Sequence, residues 1–413
     1  MGGWVEHAVW WHVYPLGFGG RLDRLAGWLD YAVELGASGL QLGPVFASET
    51  HGYDTLDHFA IDPRLGTDED FDKLVAACRE RGLHLLLDGV FNHVGRGFRA
   101  PETWFRREAS GEKAVFEGHH GLVALNHDEP EVVAYVARVM NHWLDRGASG
   151  WRLDAAYAVP ARFWREVLPQ TRPRHPGAWF AGEVIHGDYT GYLRESGLDS
   201  ITQYELWKAI WSSLNDRNLF ELAWALDRHN AVLGAGLPLT FVGNHDVTRI
   251  ATRLDDERHL GHALALLFTV GGSPSVYYGD EQAFRGLKEE RAGGDDAIRP
   301  AFPDRPDELA PYGWPTYRLH QRLIGLRRRH AWLSRATTTP LHLTNTALAL
   351  RSSSGDDRIV TLLNVGDTAV TFPIDAGGLS VLEADAPGDG RSPGTVPAHG
   401  WSVLGESGNR SVR

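Results

Sequence analysis

The chain has 413 residues, 43% hydrophobic and 23% charged, a balance that supports a large buried core and excludes a disordered protein. Its formal net charge of −12 argues against partners that reward a basic face, nucleic-acid backbone and anionic membrane alike. No stretch reaches the ~20 apolar residues of a membrane span, and the first residues lack a basic segment followed by an apolar one, so a cytoplasmic protein is expected.

Strand and helix patterns alternate along the chain. Ala8 to Pro15 is an aromatic and β-branched run that predicts strand one, and Leu22 to Leu35 has helical apolar spacing closed by Gly36. Gly39 to Val45 predicts strand two, Glu69 to Glu80 a helix, and Leu83 to Val90 strand three. Cys78, the only cysteine, lies in that helical stretch and reads as a buried small residue; one cysteine allows no intrachain disulfide. A helix over Glu131 to Arg146 leads to strand four at Ser149 to Asp154, then a short helix at Pro160 to Leu168 and strand five at Ala178 to Glu183. Ser200 to Tyr204 is a weak strand six, Leu219 to Leu233 a helix, Pro238 to Asn244 strand seven, Leu260 to Val270 a helix and Pro274 to Gly279 strand eight. Eight such units predict an α/β fold of parallel strands with right-handed crossovers, closing into a (β/α)8 barrel.

Two segments stand outside the repeat. Gly95 to Asn126, rich in His, Phe and Gly, is too long for an ordinary connection and predicts a short inserted subdomain walling the cleft. After a helix over Trp314 to His330, short strands at Ala347–Leu350, Ile359–Leu363 and Val370–Phe372, separated by Asp and Gly turns, predict a small β-sandwich. The expected division is a barrel over 1–94 and 127–331, an insertion over 95–126 and a C-terminal domain over 332–413, whose Gly-, Ser- and Pro-rich tail from Gly388 should fray at its end. Most of the 15 tryptophans, Trp164 and Trp224 among them, sit at helical core spacing.

Four runs end strand-like stretches in carboxylates: Asp88-Gly89-Val90-Phe91-Asn92-His93, Gly150-Trp151-Arg152-Leu153-Asp154, Gly182-Glu183-Val184 and Phe241-Val242-Gly243-Asn244-His245-Asp246. In a (β/α)8 barrel all strand ends converge on one face, so four distant segments build one site. Arg152 lies two residues before Asp154, on the same strand face, where its planar fork can hold the aspartate charged and oriented. Each carboxylate alone could be a helix N-cap, but a cap does not require a particular neighbour two residues away.

These runs, with His51-Gly52-Tyr53-Asp54, Ile61-Asp62-Pro63-Arg64-Leu65-Gly66-Thr67 and Gly279-Asp280-Glu281, resemble the signature regions of the α-amylase family of retaining glycoside hydrolases, in order over roughly residues 8 to 330. The resemblance implies Asp154 as nucleophile, Glu183 as acid/base and Asp246 as the third carboxylate, which holds sugar hydroxyls. It also implies that His93 and His245 bond the sugar being cleaved, that Tyr53 stacks beneath it with Tyr14 in a similar role, that Arg249 narrows the non-reducing end, and that Asp88 and Asn92 give structural support. The chemistry needs one carboxylic acid to protonate the leaving oxygen and one carboxylate to attack the anomeric carbon, so Glu183 should keep its proton while Asp154 stays ionised.

Departures from the family pattern narrow the reading. Leu122-Val123-Ala124-Leu125-Asn126 places Ala124 where a calcium-binding carboxylate is usual, so no metal and no cofactor is expected. Ala155-Ala156-Tyr157-Ala158 lacks the Lys-His pair of secreted endo-acting members, and the text from Gly182 to Lys208 resembles a compact bacterial branch of the maltodextrin glucosidase and cyclomaltodextrinase-like type. The expected substrate is an α-glucan oligosaccharide, cut at α-1,4 links in maltodextrins or cyclodextrins. A transglycosylase or a sucrose- or trehalose-acting isomerase shares every catalytic residue and stays open, as does an inactive binding homologue; oligomeric state is unreadable.

Overall fold

The computed structural model describes residues 3–291, 293–385 and 392–406; the expected fraying of the tail falls largely outside them. Eight parallel strands alternate with helices: β1 Trp10–Val13, β2 Gly39–Leu42, β3 His84–Gly89, β4 Gly150–Leu153, β5 Trp179–Gly182, β6 Ser200–Ile201, β7 Leu239–Phe241 and β8 Ser273–Tyr277. Their order is β6-β5-β4-β3-β2-β1-β8-β7, and one parallel bridge, Thr202 to Leu239, joins the two free edges into a barrel. The Gln203 N–H donates to the Leu239 carbonyl at 2.9 Å across that seam.

Period-two alternation sorts the side chains of each strand. Trp151 and Leu153 of β4 face outward into the main core beneath the helices, and Arg152 between them faces the barrel axis. The bottom of the barrel is plugged by Trp10, Leu86, Trp179, Ala181 and Leu239, with the rings of Trp10 and Trp179 stacked at 5.6 Å. Two residues further along the same strands, His12 follows Trp10, and Asp88 follows Leu86, both buried. Both strands therefore pass from an apolar layer to a polar one at the carboxyl end. Gly150 is required in this crowded lumen, since a Cβ there would stand 2.1 Å from the Trp179 carbonyl oxygen.

Helix boundaries follow the sequence pattern with instructive exceptions. Helices span Asp68–Glu80, Pro130–Asp145, Ala161–Val167, Leu219–Leu233, Leu260–Thr269 and Trp314–Arg329. The segment expected as one helix over Leu22 to Leu35 is two, Leu22–Ala26 and Leu29–Leu35, because the chain turns at Gly27 and drives Trp28, fully buried, inward. Gly36 ends the second with φ 106, the left-handed conformation expected of a C-terminal cap. Cys78 is buried and unpaired. Trp164 is buried as expected, but Trp224 is not a core residue: it is 69% exposed, with the Arg228 guanidinium 4.6 Å above its ring. Among the described residues, no helix is long and apolar enough to cross a membrane.

A three-stranded antiparallel sheet of His93–Gly95, Val115–Phe116 and His119–Ala124 rises after β3. A hairpin of Phe46–Ser48 and Thr55–Ile61, carrying Tyr53 near its tip, rises beside it after β2. After the barrel, Thr337–Leu343, Ala347–Ser354, Asp357–Asn364, Trp401–Glu406 and Leu379–Ala384 form one antiparallel sheet. Leu348, Leu350, Ile359, Leu363 and Val403 join the core of the barrel's helices, whereas Ala347, Ala349, Val360, Leu362 and Leu404 pack on Phe372 and Val396. The second layer of the expected sandwich is thus, among the described residues, only the ribbon of Val370–Thr371 with Thr395–Val396.

Candidate active site

The ends of β3, β4, β5 and β7 meet around one guanidinium. Nη1 of Arg152 lies 2.8 Å from both Asp88 oxygens and 2.9 Å from Asp154 Oδ1, and its Nη2 lies 2.6 Å from Glu183 Oε1. All four side chains are buried. Glu183 also accepts from Tyr204 Oη at 3.1 Å and from the Ala155 N–H at 2.9 Å, the latter because Ala155 turns into the left-handed region at φ 45. Asn244 links the strands, donating to Tyr204 Oη at 2.8 Å and accepting from the Asp246 N–H at 2.9 Å.

Asp246 stands at the rim, its side chain 33% exposed, 3.0 Å from Arg299 Nη2 and 3.0 Å from His245 Nε2. Tyr53 lies parallel to the His245 ring at 5.3 Å, hydrogen-bonds its Nε2 and donates to Asp88 Oδ2 at 3.1 Å. His93 stacks on Phe116 at 4.6 Å, with Nε2 3.9 Å from Asp154 Oδ2 and no hydrogen-bond partner. A buried, unpartnered N–H directed at this space is a donor in want of a hydroxyl. Together these groups line a cleft of about 600 Å³ that includes Tyr53, His93, Asp154, Glu183, Tyr204, Asp246 and Arg299.

The family profile described as alpha amylase, catalytic domain, matches residues 13–114 and 98–307. The chain belongs to the α-amylase family. It is 31% identical over 353 residues to a cyclomaltodextrinase of Bacillus sp, a match spanning 78% of this chain and 61% of that protein, and 28% identical to an intracellular maltogenic amylase of Bacillus subtilis over 68% and 56% of the two. The cyclic α-maltosyl-(1→6)-maltose hydrolase of Arthrobacter globiformis has the same fold, with a TM-score of 0.81, 27% identity and coverage of 97% of this chain and 98% of that one.

The electrostatics of this α-amylase-family site differ in one respect from the sequence expectation of a protonated Glu183 beside an ionised Asp154. Burial pushes both groups up from the ordinary carboxylate range, and Arg152 opposes the rise in each. Asp88 is pushed up to about 8 by burial, again against Arg152. One positive charge faces three carboxylates, so the cluster holds its protons more tightly than free carboxylates do. Asp246 alone is held below the usual range: burial works against this, but His245 and Arg299 outweigh it. Because burial lowers His245 below its ordinary value and keeps it neutral, the lasting positive partner is Arg299.

The structure gathers most of the residues singled out from sequence and redistributes their roles. Tyr14 and His245 lie behind the cleft, Tyr14 parallel to His245 at 6.1 Å and bonded through its hydroxyl to the His51 carbonyl. Asn92 is buried, its amide 3.1 Å from His93 Nδ1. Arg249, expected to narrow the non-reducing end, does not line the cleft. It is 1% exposed, pinned by the Tyr278 and Ile298 carbonyls and by Asp280 Oδ1 at 2.9 Å, with Tyr277 against its guanidinium. Its place on the cleft is taken by Arg299, which follows β8 in an irregular segment with no periodicity to mark it. Tyr204, expected to close strand six, instead opens a helix, Tyr204–Asn215, whose first turn points at Glu183.

Past Ile185 and Tyr204, which line both spaces, a second groove of about 580 Å³ runs between His186–Thr190 and the helix faces bearing Trp207, Lys208 and Arg228. The indole N–H of Trp207 is itself buried and, among the described residues, has no hydrogen-bond partner.

Proposed function

We propose that the protein is a retaining glycoside hydrolase that cuts α-1,4 bonds of maltooligosaccharides, maltodextrins or cyclodextrins by double displacement. Asp154 attacks the anomeric carbon, Glu183 protonates the leaving oxygen and then deprotonates water, and Asp246 holds hydroxyls of the distorted sugar. The carrying observation is that Asp154 and Glu183 are oriented by a single guanidinium at the floor of a cleft with Asp246 at its rim. His93 and Tyr53 supply a donor and a ring face to the sugar in the cleft. Tyr14, His245, Arg152, Asp88 and Asn92 position these groups from behind. The cyclomaltodextrinase and maltogenic amylase names of relatives support the substrate class, and the intracellular ones support a cytoplasmic location. Ala124, buried and without a ligating group, supports a reading without structural calcium.

The test is a substrate panel of maltoheptaose, γ-cyclodextrin, isomaltose, sucrose and trehalose, with the anomer of the first product followed by NMR. The expected result is rapid cleavage of the first two with α-anomer released; β-anomer, or no change on any α-glucoside, defeats the reading. Glu183→Gln should lose activity on maltoheptaose by about 10³-fold yet recover most of it on maltosyl fluoride, whose leaving group needs no proton. The alkaline limb of kcat/KM should vanish with it, because wild-type activity falls as Glu183, raised by burial, loses its proton. An unrescued variant would remove Glu183 from the acid role.

The aglycone end of a longer substrate runs over Ile185 and Tyr204 into the second groove, where Trp207 offers a half-buried ring. Trp207→Ala should raise KM for maltoheptaose about tenfold and leave maltotriose within about twofold. Equal effects on both would place Trp207 outside the binding path.

A further inference from the structure

Where the chain enters the helix that follows β7, the barrel is joined to the C-terminal sheet by a cluster the reaction does not use. Asp256 precedes the short turn Glu257–His259 that leads into the helix Leu260–Thr269, and His399 comes from the loop before the sheet strand Trp401–Glu406. His259 Nε2 and His399 Nδ1 are 3.0 Å apart, His399 Nδ1 is 3.7 Å from Asp256 Oδ2, and the three atoms all lie within 4.8 Å of one another. Both histidines are buried.

We propose that Asp256, His259 and His399 form a site for a divalent transition-metal cation of the zinc type, which staples the C-terminal sheet to the barrel. Ligand atoms ~2.0–2.1 Å from one tetrahedral ion stand roughly 3.3 Å apart, and the observed 3.0 and 3.7 Å straddle that spacing. Two imidazoles and one carboxylate suit zinc or cobalt and not calcium, which takes six to eight oxygens. The outer contacts are those a metal-binding imidazole needs. His399 Nε2 lies 2.9 Å from Asp367 Oδ1, so its proton sits on Nε2 and the Nδ1 lone pair faces the cluster. Asp256 is oriented through both oxygens by Arg258. His399 holds its backbone at φ 53, a left-handed conformation that a histidine adopts at a cost and that aims its ring at the barrel. Arg217 completes the arrangement by pairing with Asp367 at 2.8 Å.

Full-length protein stripped with a chelator and dialysed should take up one zinc per chain. Its Tm should rise by about 2–5 °C at a hundredfold excess of zinc over Kd, and cobalt in place of zinc should give visible d–d bands of a tetrahedral site. His259→Gln and His399→Gln should each abolish uptake, bands and Tm rise, and Asp367→Asn, which removes no ligand, should weaken zinc about 10–100-fold. Activity on maltodextrin at low temperature should be unchanged in all three. The proposal is overturned by the absence of stoichiometric zinc uptake, by uptake that survives both histidine substitutions, or by calcium raising Tm as zinc does. None of these outcomes depends on the hydrolase reading.

Discussion

Arg152→Met is expected to destabilise the protein by about 3–5 kcal/mol and to abolish turnover, because it leaves three buried carboxylates without their shared positive charge. The guanidinium touches Asp88, Asp154 and Glu183 within 2.6–2.9 Å, and among the described residues no other Arg or Lys pairs with those three. Without it the groups must take up protons to remain buried, so the loss of stability should be small in acid and grow as the pH rises. Arg152→Lys should recover only part of the loss, since a point charge on a flexible stem cannot reach three carboxylates as a planar fork does. Urea unfolding at pH 5 and pH 8 measures both variants. A cost below about 1 kcal/mol at pH 8 for the methionine variant would mean that Arg152 is not the counter-charge of the cluster.

Asp154→Asn is expected to lower kcat by about 10⁴-fold or more with the fold intact, since the amide cannot form the glycosyl-enzyme bond. The same variant should be more stable than the wild type. A carboxylate whose folded pKa is raised binds its proton more tightly in the folded chain, so its contribution is present in acid and lost as pH rises through the folded value. Asp154 is raised by burial and by Asp246, against Arg152. Removing its charge should therefore raise Tm by an amount that grows from pH 5 to pH 8. Wild-type turnover would refute the nucleophile, and a Tm difference that shrinks with pH would refute the electrostatic account. Function here is carried at the expense of stability.

The sequence was most informative where one strand or helix does one job. The outward Trp151 and Leu153 around an inward Arg152 are readable as a period of two, and Gly36 and the helix over 219–233 follow from caps and spacing. What escaped depends on residues far apart in the chain. The helix Tyr189–Ser196 has local signals at both ends, Asp188 accepting from the Gly191 N–H and Gly197 at φ 74, but it is too short for apolar spacing to mark it. Arg249 and Arg299 look alike as isolated arginines after a strand. Only the fold turns one inward onto carbonyls and Asp280 and sets the other beside Asp246. Tyr204 reaches Glu183 because strand β6 stops after two residues, a brevity that no local pattern announces.

That brevity reaches beyond topology. Seven joints of the barrel are ladders, and the eighth, between β6 and β7, is a single bridge at Thr202. Glu183 stands on one side of the joint and Asp246 on the other, while Asn244 and Tyr204 tie across it. The molecule is in this sense a split ring, stiff around most of its circumference and compliant at one gap. Its least resistant deformation widens or narrows the space between Glu183 and Asp246, so under the proposed function taking in a sugar ring and releasing it draw on the same hinge line.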